Sequence, residues 1–316
     1  MSSLLHLRVV NQPEHTQAVL RLLEDCPGAT HLVLLPGAGV RPAGDVVEAD
    51  VAREALDDLL TELCALGIDH HGAITLESID TALSDAADQA EIAAPGEGAD
   101  AVVWEELLAR TGEESRLNFT YLGFLTIACL LAAIGVITDS VITIVGAMVV
   151  GPEFGPLAAL SVGLVLRRWD LVRRALAALL LGFQCAMVIT AGLVALGYAA
   201  GLFDESIMHV NHQSDFVYQV GPFSLIVALL AGAAGMLSLT SAKSAALVGV
   251  FISVTTVPAA GYAALALVLG EPGRAGQSAL QLLVNLAGIV LAATIVLLLR
   301  NRRNKYQDNG RPLADG

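Results

Sequence analysis

The sequence predicts an α-helical polytopic membrane domain with six transmembrane helices, preceded by a small ferredoxin-like α+β domain. Two observations predict this organisation. The 316-residue chain has a mean hydropathy of +0.67, with 55% hydrophobic and 15% charged residues, which is too apolar for a single soluble globule. Charge is also divided unevenly, because residues 1–116 carry 22 acidic and 6 basic side chains, whereas residues 117–316 carry 9 acidic and 11 basic ones. The two parts are therefore expected to face different solvents.

The first domain is predicted over residues 1–80. Alternation of apolar and polar residues predicts strands, helical spacing of apolar residues predicts helices, and Gly and Pro clusters separate them. The predicted strands are 4–10, 29–35, 45–49 and 72–79, the predicted helices are 13–24 and 51–66, and a Gly/Pro loop covers 37–44. Asp50 is placed to cap the second helix. The order βαββαβ is that of a ferredoxin-like sheet with both helices on one face, a fold that implies no chemistry by itself.

Residues 81–116 are predicted to connect the two domains. Residues 81–98 are rich in Ala, Asp and Gly with little periodicity, which indicates a linker. Apolar residues at Val103, Leu107 and Leu108, beside Trp104, then predict an amphipathic helix over 100–110. Because an indole ring prefers the membrane interface, this helix suits a juxtamembrane position. A helix packed on the front domain explains the pattern equally well.

The membrane domain, residues 117–300, contains six apolar stretches, each long enough for a span of about 20 residues. They cover 118–137, 140–166, 171–201, 220–239, 244–269 and 278–299. If the spans alternate in direction, most loop arginines and lysines collect on one side of the membrane, together with the basic tail 301–316. The positive-inside rule then predicts a protein of the cell membrane with both termini in the cytoplasm.

The six stretches divide into two sets of three that resemble each other weakly. A shift of 102 residues brings Thr138 onto Thr240 and Pro156 onto Pro258, and the second and fifth stretches both break near the middle. An odd number of spans per set would insert the two sets in opposite orientations, as in many transporters. An inverted repeat of three plus three spans is one interpretation, and chance matches among small apolar residues are the other.

The second stretch carries the strongest functional signal. Gly151, Pro152, Gly155 and Pro156 interrupt an apolar run, and Glu153 places a carboxyl group among them. At membrane depth, non-helical backbone is tolerated only where it is buried in protein or lines a water-filled cavity. An ionised side chain at a helix centre also costs about 2.5–3.5 kcal/mol on insertion scales. We therefore expect Glu153 to bind a proton or a cation. In the alternative, structural interpretation, the carboxylate accepts backbone N–H groups that the prolines leave free.

Further residues are candidates for the same site. In the fifth stretch, Thr255 and Thr256 offer hydroxyl groups beside Pro258, although such hydroxyls often bond to their own helix. Asp139 begins the second stretch, where a helix N-cap is favoured over a role in ion access. Lys243 begins the fifth stretch and either snorkels to the cytoplasmic interface or binds an anion.

Other functional classes lack support in the sequence. No motif of a hydrolase, a nucleotide-dependent pump or a dehydrogenase occurs, so we expect no enzyme activity and no cofactor. The acidic front domain argues against nucleic acid as a partner. His209 and His212, near Asp215, have side chains that ligate metals, but the HxxH spacing favours a solvated loop and no metal site is predicted.

A set of short motifs indicates a family. The motifs are AAIGVITDS at 132–140, VGAM at 145–148, Gly155-Pro156, SAKSAALVGV at 241–250 and Val257-Pro258. In these motifs the chain resembles the prokaryotic integral membrane family called "domain of unknown function 389". The resemblance covers nearly the whole chain and implies a fold and a membrane location, but no assigned reaction.

Together these features predict a homo-oligomeric protein of the lipid bilayer that moves a small solute or ion of unknown identity. The site would be built from the broken second and fifth stretches, and the acidic front domain would regulate or assemble the protein. The alternative is a membrane-anchored sensor or scaffold. In that case the ferredoxin-like domain binds a metabolite or partner, and the spans only oligomerise.

Overall fold

The computed structural model describes residues 4–79, 81–94, 103–205, 222–240 and 256–308. The chain forms two compact units. The front unit is built on Met1–Leu107, and the helical unit is built on Leu108–Leu239 and Ser244–Arg302.

The front unit contains a four-stranded antiparallel sheet in the order β2-β3-β1-β4. Its elements are β1 (Leu4–Asn11), α1 (Pro13–Glu24), β2 (Ala29–Val40), β3 (Ala43–Ala52), α2 (Arg53–Ala65), the short α3 (Ile68–His71) and β4 (Ala73–Ser78). This is the predicted βαββαβ order, with one helical turn added before the last strand. Pro13 suits the start of α1 because its ring fixes a helical φ and no intrahelical hydrogen bond is lost there.

Alternate residues of the central strands form the core of the front unit. Leu7 and Val9 of β1 are fully buried with Val47 of β3, and the same cluster contains Leu23 of α1 and Leu56 of α2. Both helices therefore cover the same face of the sheet. A shift of strand register by one residue would turn these side chains to the opposite face, so burial of the core fixes the register.

The prediction of a loop over residues 37–44 is wrong. β2 continues to Val40 and β3 begins at Ala43, and these two residues are paired in the sheet. The register of this pair is irregular between Leu35 and Gly39. Glycine tolerates such irregular strand backbone, so the Gly-rich sequence that suggests a loop is here part of a hairpin.

The predicted linker over residues 81–98 contains a helix that the sequence analysis did not predict. Residues 85–93 form α4 (Asp85–Ala93). Ser84 is its N-cap, and the Ser84 hydroxyl accepts a hydrogen bond from the Ala87 N–H at 3.4 Å. Ala87 is buried beside Leu4 and Ala52 of the sheet. The helix was missed because alanine gives little hydrophobic periodicity while having the highest helix propensity. The rest of the predicted linker, from residue 95 to 98, lies outside the described residues.

The predicted amphipathic helix is present as α5 (Trp104–Glu114). Val103 and Leu107 are buried in the front unit, and the Trp104 N–H donates a hydrogen bond to Asp57 at 3.1 Å. Arg53 of α2 forms an ion pair with Glu106 at 2.6 Å. The start of the helix therefore packs on the front domain, as the second of the two interpretations predicts.

The helical unit continues with seven described helices. They are α6 (Phe119–Ile137), α7 (Val141–Val150), α8 (Phe154–Val165), α9 (Trp169–Ala199), α10 (Pro222–Leu239), α11 (Val257–Val268) and α12 (Pro272–Asp308). Within the described ranges, α6, α9 and the first 30 residues of α12 are long and apolar enough to cross a membrane. α7 and α8 together form a further span that is bent by 51°. The described residues therefore contain three candidate membrane spans, or four if the bent pair is counted as one span. The sequence analysis predicts six.

The remaining two predicted spans are represented by shorter apolar helices. α10 corresponds to the fourth stretch and α11 to the second half of the fifth. The first half of the fifth stretch lies outside the described residues.

The prediction that Asp139 caps a helix N-terminus is wrong. α6 ends in a Schellman turn, in which the Ser140 N–H bonds to the Gly135 carbonyl at 2.8 Å and the Asp139 N–H bonds to the Val136 carbonyl at 3.2 Å. Asp139 occupies the left-handed position of this turn, with φ +49°. The N-cap of α7 is Ser140 instead, whose hydroxyl accepts from the Thr143 N–H at 3.3 Å.

Candidate functional site

The second predicted span breaks between Val150 and Phe154. Pro152 disfavours helical backbone in the residue before it, and Gly151 is accordingly extended, with φ −62° and ψ 125°. Pro156 does not break α8, because it lies in the first turn, where its missing N–H has no intrahelical partner to lose. The sequence therefore ends one helix at Val150 and begins another just after Glu153.

Glu153 is hydrogen-bonded to the fifth predicted span. The Thr256 hydroxyl donates to Oε1 of Glu153 at 2.6 Å, and both residues are fully buried. Each residue directly precedes a 12-residue helix, Glu153 before α8 and Thr256 before α11. The structure thus brings together the carboxyl group and one of the hydroxyl groups that the sequence analysis selected.

Neither side chain caps its own helix. No side-chain capping bond is made at the start of α8 or of α11. The alternative in which Glu153 accepts freed N–H groups at the start of α8 is therefore not the arrangement found. The same holds for Thr256, whose hydroxyl proton goes to the carboxylate of another helix rather than to its own backbone.

Small residues allow the helices around this pair to approach closely. A β-carbon on Gly261 of α11 would lie 2.7 Å from both the Cys129 carbonyl oxygen and the Ala132 Cβ of α6. Val257, next to Thr256, shares a buried cluster with Ala132 and Ala147. Packing of this kind excludes water, and it strengthens hydrogen bonds and raises the penalty for unpaired charge.

The first turn of α8 also touches the segment before α6. A β-carbon on Gly155 would lie 2.6 Å from the Glu114 Cβ and 3.1 Å from its Oε2. Only glycine fits this approach without displacing Glu114. The Glu114 side chain is 41% exposed and lies 3.4 Å from Arg110.

The other predicted site residues take different positions. Pro156 and Pro258 are buried in the first turns of α8 and α11, whereas Gly151 and Pro152 are half-buried. Asp139 is exposed at the turn between α6 and α7 and belongs to a separate part of the helical unit. Lys243, Thr255, His209, His212 and Asp215 lie outside the described residues. Within the described residues no group of three or more His, Cys, Asp or Glu could hold a metal ion.

The fold brings together polar residues of α10 and α12, of which sequence reasoning missed Ser224 and Gln281. The Ser224 hydroxyl of α10 lies 3.1 Å from Asn285 Oδ1, to which it donates, and 3.1 Å from Gln281 Nε2, which donates to it. The Tyr121 hydroxyl in the first turn of α6 is buried and has no hydrogen-bond partner among the described residues. An aromatic residue near a span end usually indicates an interfacial anchor, so the pattern alone did not single out Tyr121.

A second polar cluster lies in the front unit. Nδ1 of His6 and Nδ1 of His31 each lie 2.7 Å from an oxygen of the Asp50 carboxylate, and Nε2 of His31 lies 2.9 Å from the Ser84 hydroxyl. Asp50 is therefore not the cap of α2, whose N-cap position is Ala52. The cluster ties three strands to the start of α4.

The helical unit contains the residues that match a known protein family. The apolar helices and the bent span indicate a membrane protein, and residues 148–291 match the model of the family described as "Domain of unknown function (DUF389)". Over these residues, the match confirms the family resemblance that the motifs predict. An uncharacterised protein of Methanocaldococcus jannaschii is 26% identical over 195 residues, which cover 62% of this chain and 58% of that relative. No solved structure matches the chain significantly.

Proposed function

We propose that the protein is a transporter of a small solute or ion, with its binding site at the Glu153–Thr256 pair. The observation that carries the proposal is the fully buried carboxyl group of Glu153, hydrogen-bonded at 2.6 Å to a hydroxyl on another interrupted helical segment. Ionisable groups inside a membrane are expensive and are kept mainly where a proton, ion or substrate binds. A helix broken at such a group is the usual construction of a transporter site.

The spacing of the helices supports an inverted repeat around this pair. Glu153 and Thr256 are 103 residues apart. The same separation relates the starts of three helix pairs, which are Phe119 with Pro222, Phe154 with Val257, and Trp169 with Pro272. It also relates Arg167 and Gly270, the two left-handed residues that follow α8 and α11. In the proposed repeat, this hydrogen bond joins equivalent positions of two three-span units, as in transporters that bind substrate between inverted repeats.

The same proposal includes the finer features of membrane organisation. The proposed protein has six spans and both termini in the cytoplasm, which the loop charges and the proposed repeat support. The protein would lie in the cell membrane as a homo-oligomer, without enzymatic activity, and the front domain would regulate transport or assembly.

Proton-linked flux in vesicles tests the proposal. The purified full-length protein is reconstituted, a pH gradient is imposed, and internal pH is followed with a trapped dye. Glu153→Gln removes the titratable group while keeping its size, so we expect flux to be abolished while insertion is unchanged. Glu113→Gln, at an exposed position of α5, is the matched control and keeps full flux. Equal flux in wild type and Glu153→Gln would remove Glu153 from the mechanism.

One observation favours the second candidate, an anchored sensor or scaffold. Neither Glu153 nor Thr256 has any exposed surface, so in this conformation the pair is sealed. Transport requires another conformation in which the pair opens, whereas a scaffold does not. A protein that moves no ion or solute in any gradient, but whose oligomers persist when residues 1–80 are deleted, would support the scaffold.

A further inference from the structure

A serine, a histidine and an aspartate of the front unit form a continuous hydrogen-bonded relay. The Ser84 hydroxyl lies 2.9 Å from Nε2 of His31, and Nδ1 of the same ring lies 2.7 Å from Oδ2 of Asp50. His31 belongs to β2, Asp50 to β3, and Ser84 precedes α4, so only the fold brings them together. A nucleophile bonded to a base, which a third group orients, is the arrangement that activates a hydroxyl for covalent chemistry.

A distortion of the β2 backbone places His31 in this relay. Thr30 is paired with Asp50 of β3, so the two side chains lie on the same face of the sheet. In a regular strand His31 would therefore face the opposite side. The register of β2 is instead irregular between Thr30 and Val33, and His31 has a left-handed backbone with φ +52°. An irregular register can re-aim a side chain, and strained backbone of this kind is concentrated at functional sites.

The hydrogen-bonding capacities of the three groups fix where the protons lie. An ionised Asp50 carboxylate only accepts, so Nδ1 of His31 carries a proton. In the neutral imidazole Nε2 is then bare, and it accepts the proton of the Ser84 hydroxyl. The Ser84 oxygen itself accepts the Ala87 N–H at 3.4 Å, which leaves its own proton for the ring. His31 is thus placed as a general base for Ser84.

A second histidine holds the orienting carboxylate in place. Nδ1 of His6 lies 2.7 Å from Oδ1 of Asp50, the oxygen that His31 does not contact. His6 and Asp50 are also paired residues of β1 and β3. The Asp50 side chain is 16% exposed, whereas the His31 side chain is 40% exposed. The carboxylate is therefore fixed and shielded, while reagents in solvent can reach the base beside the half-buried Ser84.

The surroundings of Ser84 select the kind of group that it can attack. Ser84 is the N-cap of α4, and the first N–H groups of a helix have no intrahelical partner. Such N–H groups stabilise the oxyanion that forms when a hydroxyl attacks a carbonyl. Asp85 and Asp88 lie in the first turn of α4, and residues 1–116 carry 22 acidic against 6 basic side chains. Anionic acyl donors are therefore repelled, which favours uncharged esters as reactants.

We propose that Ser84 is a nucleophile that accepts an acyl group from an uncharged carboxylic ester. The Ser84 oxygen attacks the ester carbonyl as its proton passes to Nε2 of His31. The bond between the carbonyl carbon and the ester oxygen then breaks, and His31 gives the proton to the departing alcohol. The products are acyl-Ser84 and the alcohol, so atoms and protons balance. Because an ester oxygen carries no proton, acylation also breaks the bond from Ser84 to His31 that links α4 to β2.

Labelling of the purified full-length protein with an uncharged alkyl fluorophosphonate tests the nucleophile. The reagent reacts with activated serines, releases fluoride and leaves a stable adduct, which mass spectrometry of peptides locates. General-base catalysis typically contributes about 10²–10⁴-fold. We therefore expect Ser84 to be labelled at least about 100-fold faster than Ser78, an exposed serine at the end of β4. Equal labelling of the two serines overturns the proposal.

Three variants distinguish the relay from a merely structural cluster. His31→Asn removes the base but suits the left-handed backbone position, and it should lower the maximal labelling rate of Ser84 about 100-fold. Asp50→Ala removes the group that orients the base, so the maximal rate should fall about tenfold or more while the half-saturating reagent concentration stays unchanged. His6→Asn removes an equally short hydrogen bond to the same carboxylate and should keep the rate within about threefold. Equal losses in Asp50→Ala and His6→Asn would show a structural role and contradict the relay.

Two acetyl donors test the substrate class. p-Nitrophenyl acetate is uncharged and acetyl phosphate is anionic, and each rate is divided by the rate at which the donor acetylates an uncharged serine peptide. We expect acetyl-Ser84 to form from the ester about tenfold faster on this scale, and high salt should reduce the preference because it screens charge. A preference for acetyl phosphate overturns the substrate class. Ser84→Ala should abolish the adduct, and if that variant does not fold, an acetyl group located elsewhere in wild type contradicts the assignment.

Discussion

The front unit and the helical unit build their cores from different residues. The front core consists largely of Leu and Val side chains such as Leu7 and Val47, which are buried because the transfer of apolar surface out of water is favourable. In the helical unit, Gly261 and Gly232 permit contacts between helix backbones that a β-carbon would prevent. Lipid is as apolar as a leucine side chain, so helices in a membrane associate through close packing and interhelical hydrogen bonds instead.

The two units also differ in where their polar pairs lie. In the front unit, Arg8 and Glu48 pair at 2.7 Å, but the arginine side chain is 54% exposed, and such surface pairs contribute about 0–1 kcal/mol. In the helical unit, Thr256 and Glu153 pair with no exposure at all. The two pairs have similar lengths, so their burial rather than their length decides how much each contributes to stability. We expect substitutions in the buried pair to reduce stability more than substitutions in the exposed one.

The largest effect is expected from crowding a helix contact of the helical unit. A β-carbon on Gly232 of α10 would meet the carbonyl oxygen of Ile289 and lie 2.8 Å from its Cα. Gly232→Ala should therefore destabilise the protein by about 2–3 kcal/mol, because backbone cannot move aside as a side chain can. Gly123→Ala in α6 is the matched control, since nothing lies within 4 Å of that position, and it should stabilise by about 0.5 kcal/mol. Thermal unfolding in detergent compares them, and equal effects would contradict the packing difference.

A smaller loss is expected from removing the buried hydroxyl at Thr256. Thr256→Val keeps the shape and deletes the bond to Glu153, so it should cost about 2 kcal/mol, since hydrogen bonds to charged groups contribute about 1.5–3 kcal/mol. Disruption of the exposed pair by Arg8→Gln should cost less than about 1 kcal/mol. Unfolding in denaturant measures both. The comparison fails if the surface variant loses as much as the buried one.

The smallest effect is expected at Asp45 in the front unit, and it depends on pH. The Thr16 hydroxyl donates to Asp45 at 2.7 Å and the Gly37 N–H donates at 2.8 Å, and these bonds hold the pKa of the Asp45 carboxyl below its ordinary value. A lowered folded-state pKa gives stability that is present above the unfolded-state value, about 3.9, and is lost as pH falls through the folded-state pKa.

Asp45→Asn should therefore speed hydrogen exchange of the β2–β3 hairpin at pH 7, and the difference from wild type should vanish at strongly acidic pH. Asp88→Asn, at an exposed position of α4, should change neither rate. A difference between Asp45→Asn and wild type that persists unchanged into acid would refute this assignment. The full-length protein is used throughout.

The sequence predicted the features that depend on strong local signals. Alternation in 4–10 and helical spacing in 13–24 identified β1 and α1 almost to the residue. The break near Glu153 followed from Pro152, because proline forces extended backbone on the residue before it. Local signals failed for α4, because its buried face consists of alanines that give little hydrophobic periodicity. They also failed for Asp139, because the sequence pattern does not show that this aspartate adopts a left-handed backbone conformation.

The partner of Glu153 could be selected from the sequence only as one of several candidates. Thr256 was chosen for its hydroxyl beside Pro258, but no sequence pattern specifies that it meets a carboxylate 103 residues away. The burial of the Tyr121 hydroxyl without a hydrogen-bond partner among the described residues is likewise a property of the packed helices. Contacts between distant segments depend on how helices pack, and periodicity along one helix carries no information about that.

Access of water-borne reagents to Thr256 tests the central claim most directly. Thr256→Cys is made in a background that lacks the four native cysteines, Cys26, Cys64, Cys129 and Cys185, and is treated with a membrane-impermeant thiol reagent from each side of sealed vesicles. A transporter that alternates around the Glu153–Thr256 pair should be modified from both sides, and a proton gradient should change the two rates in opposite directions. Complete protection from both sides under every gradient would contradict the account.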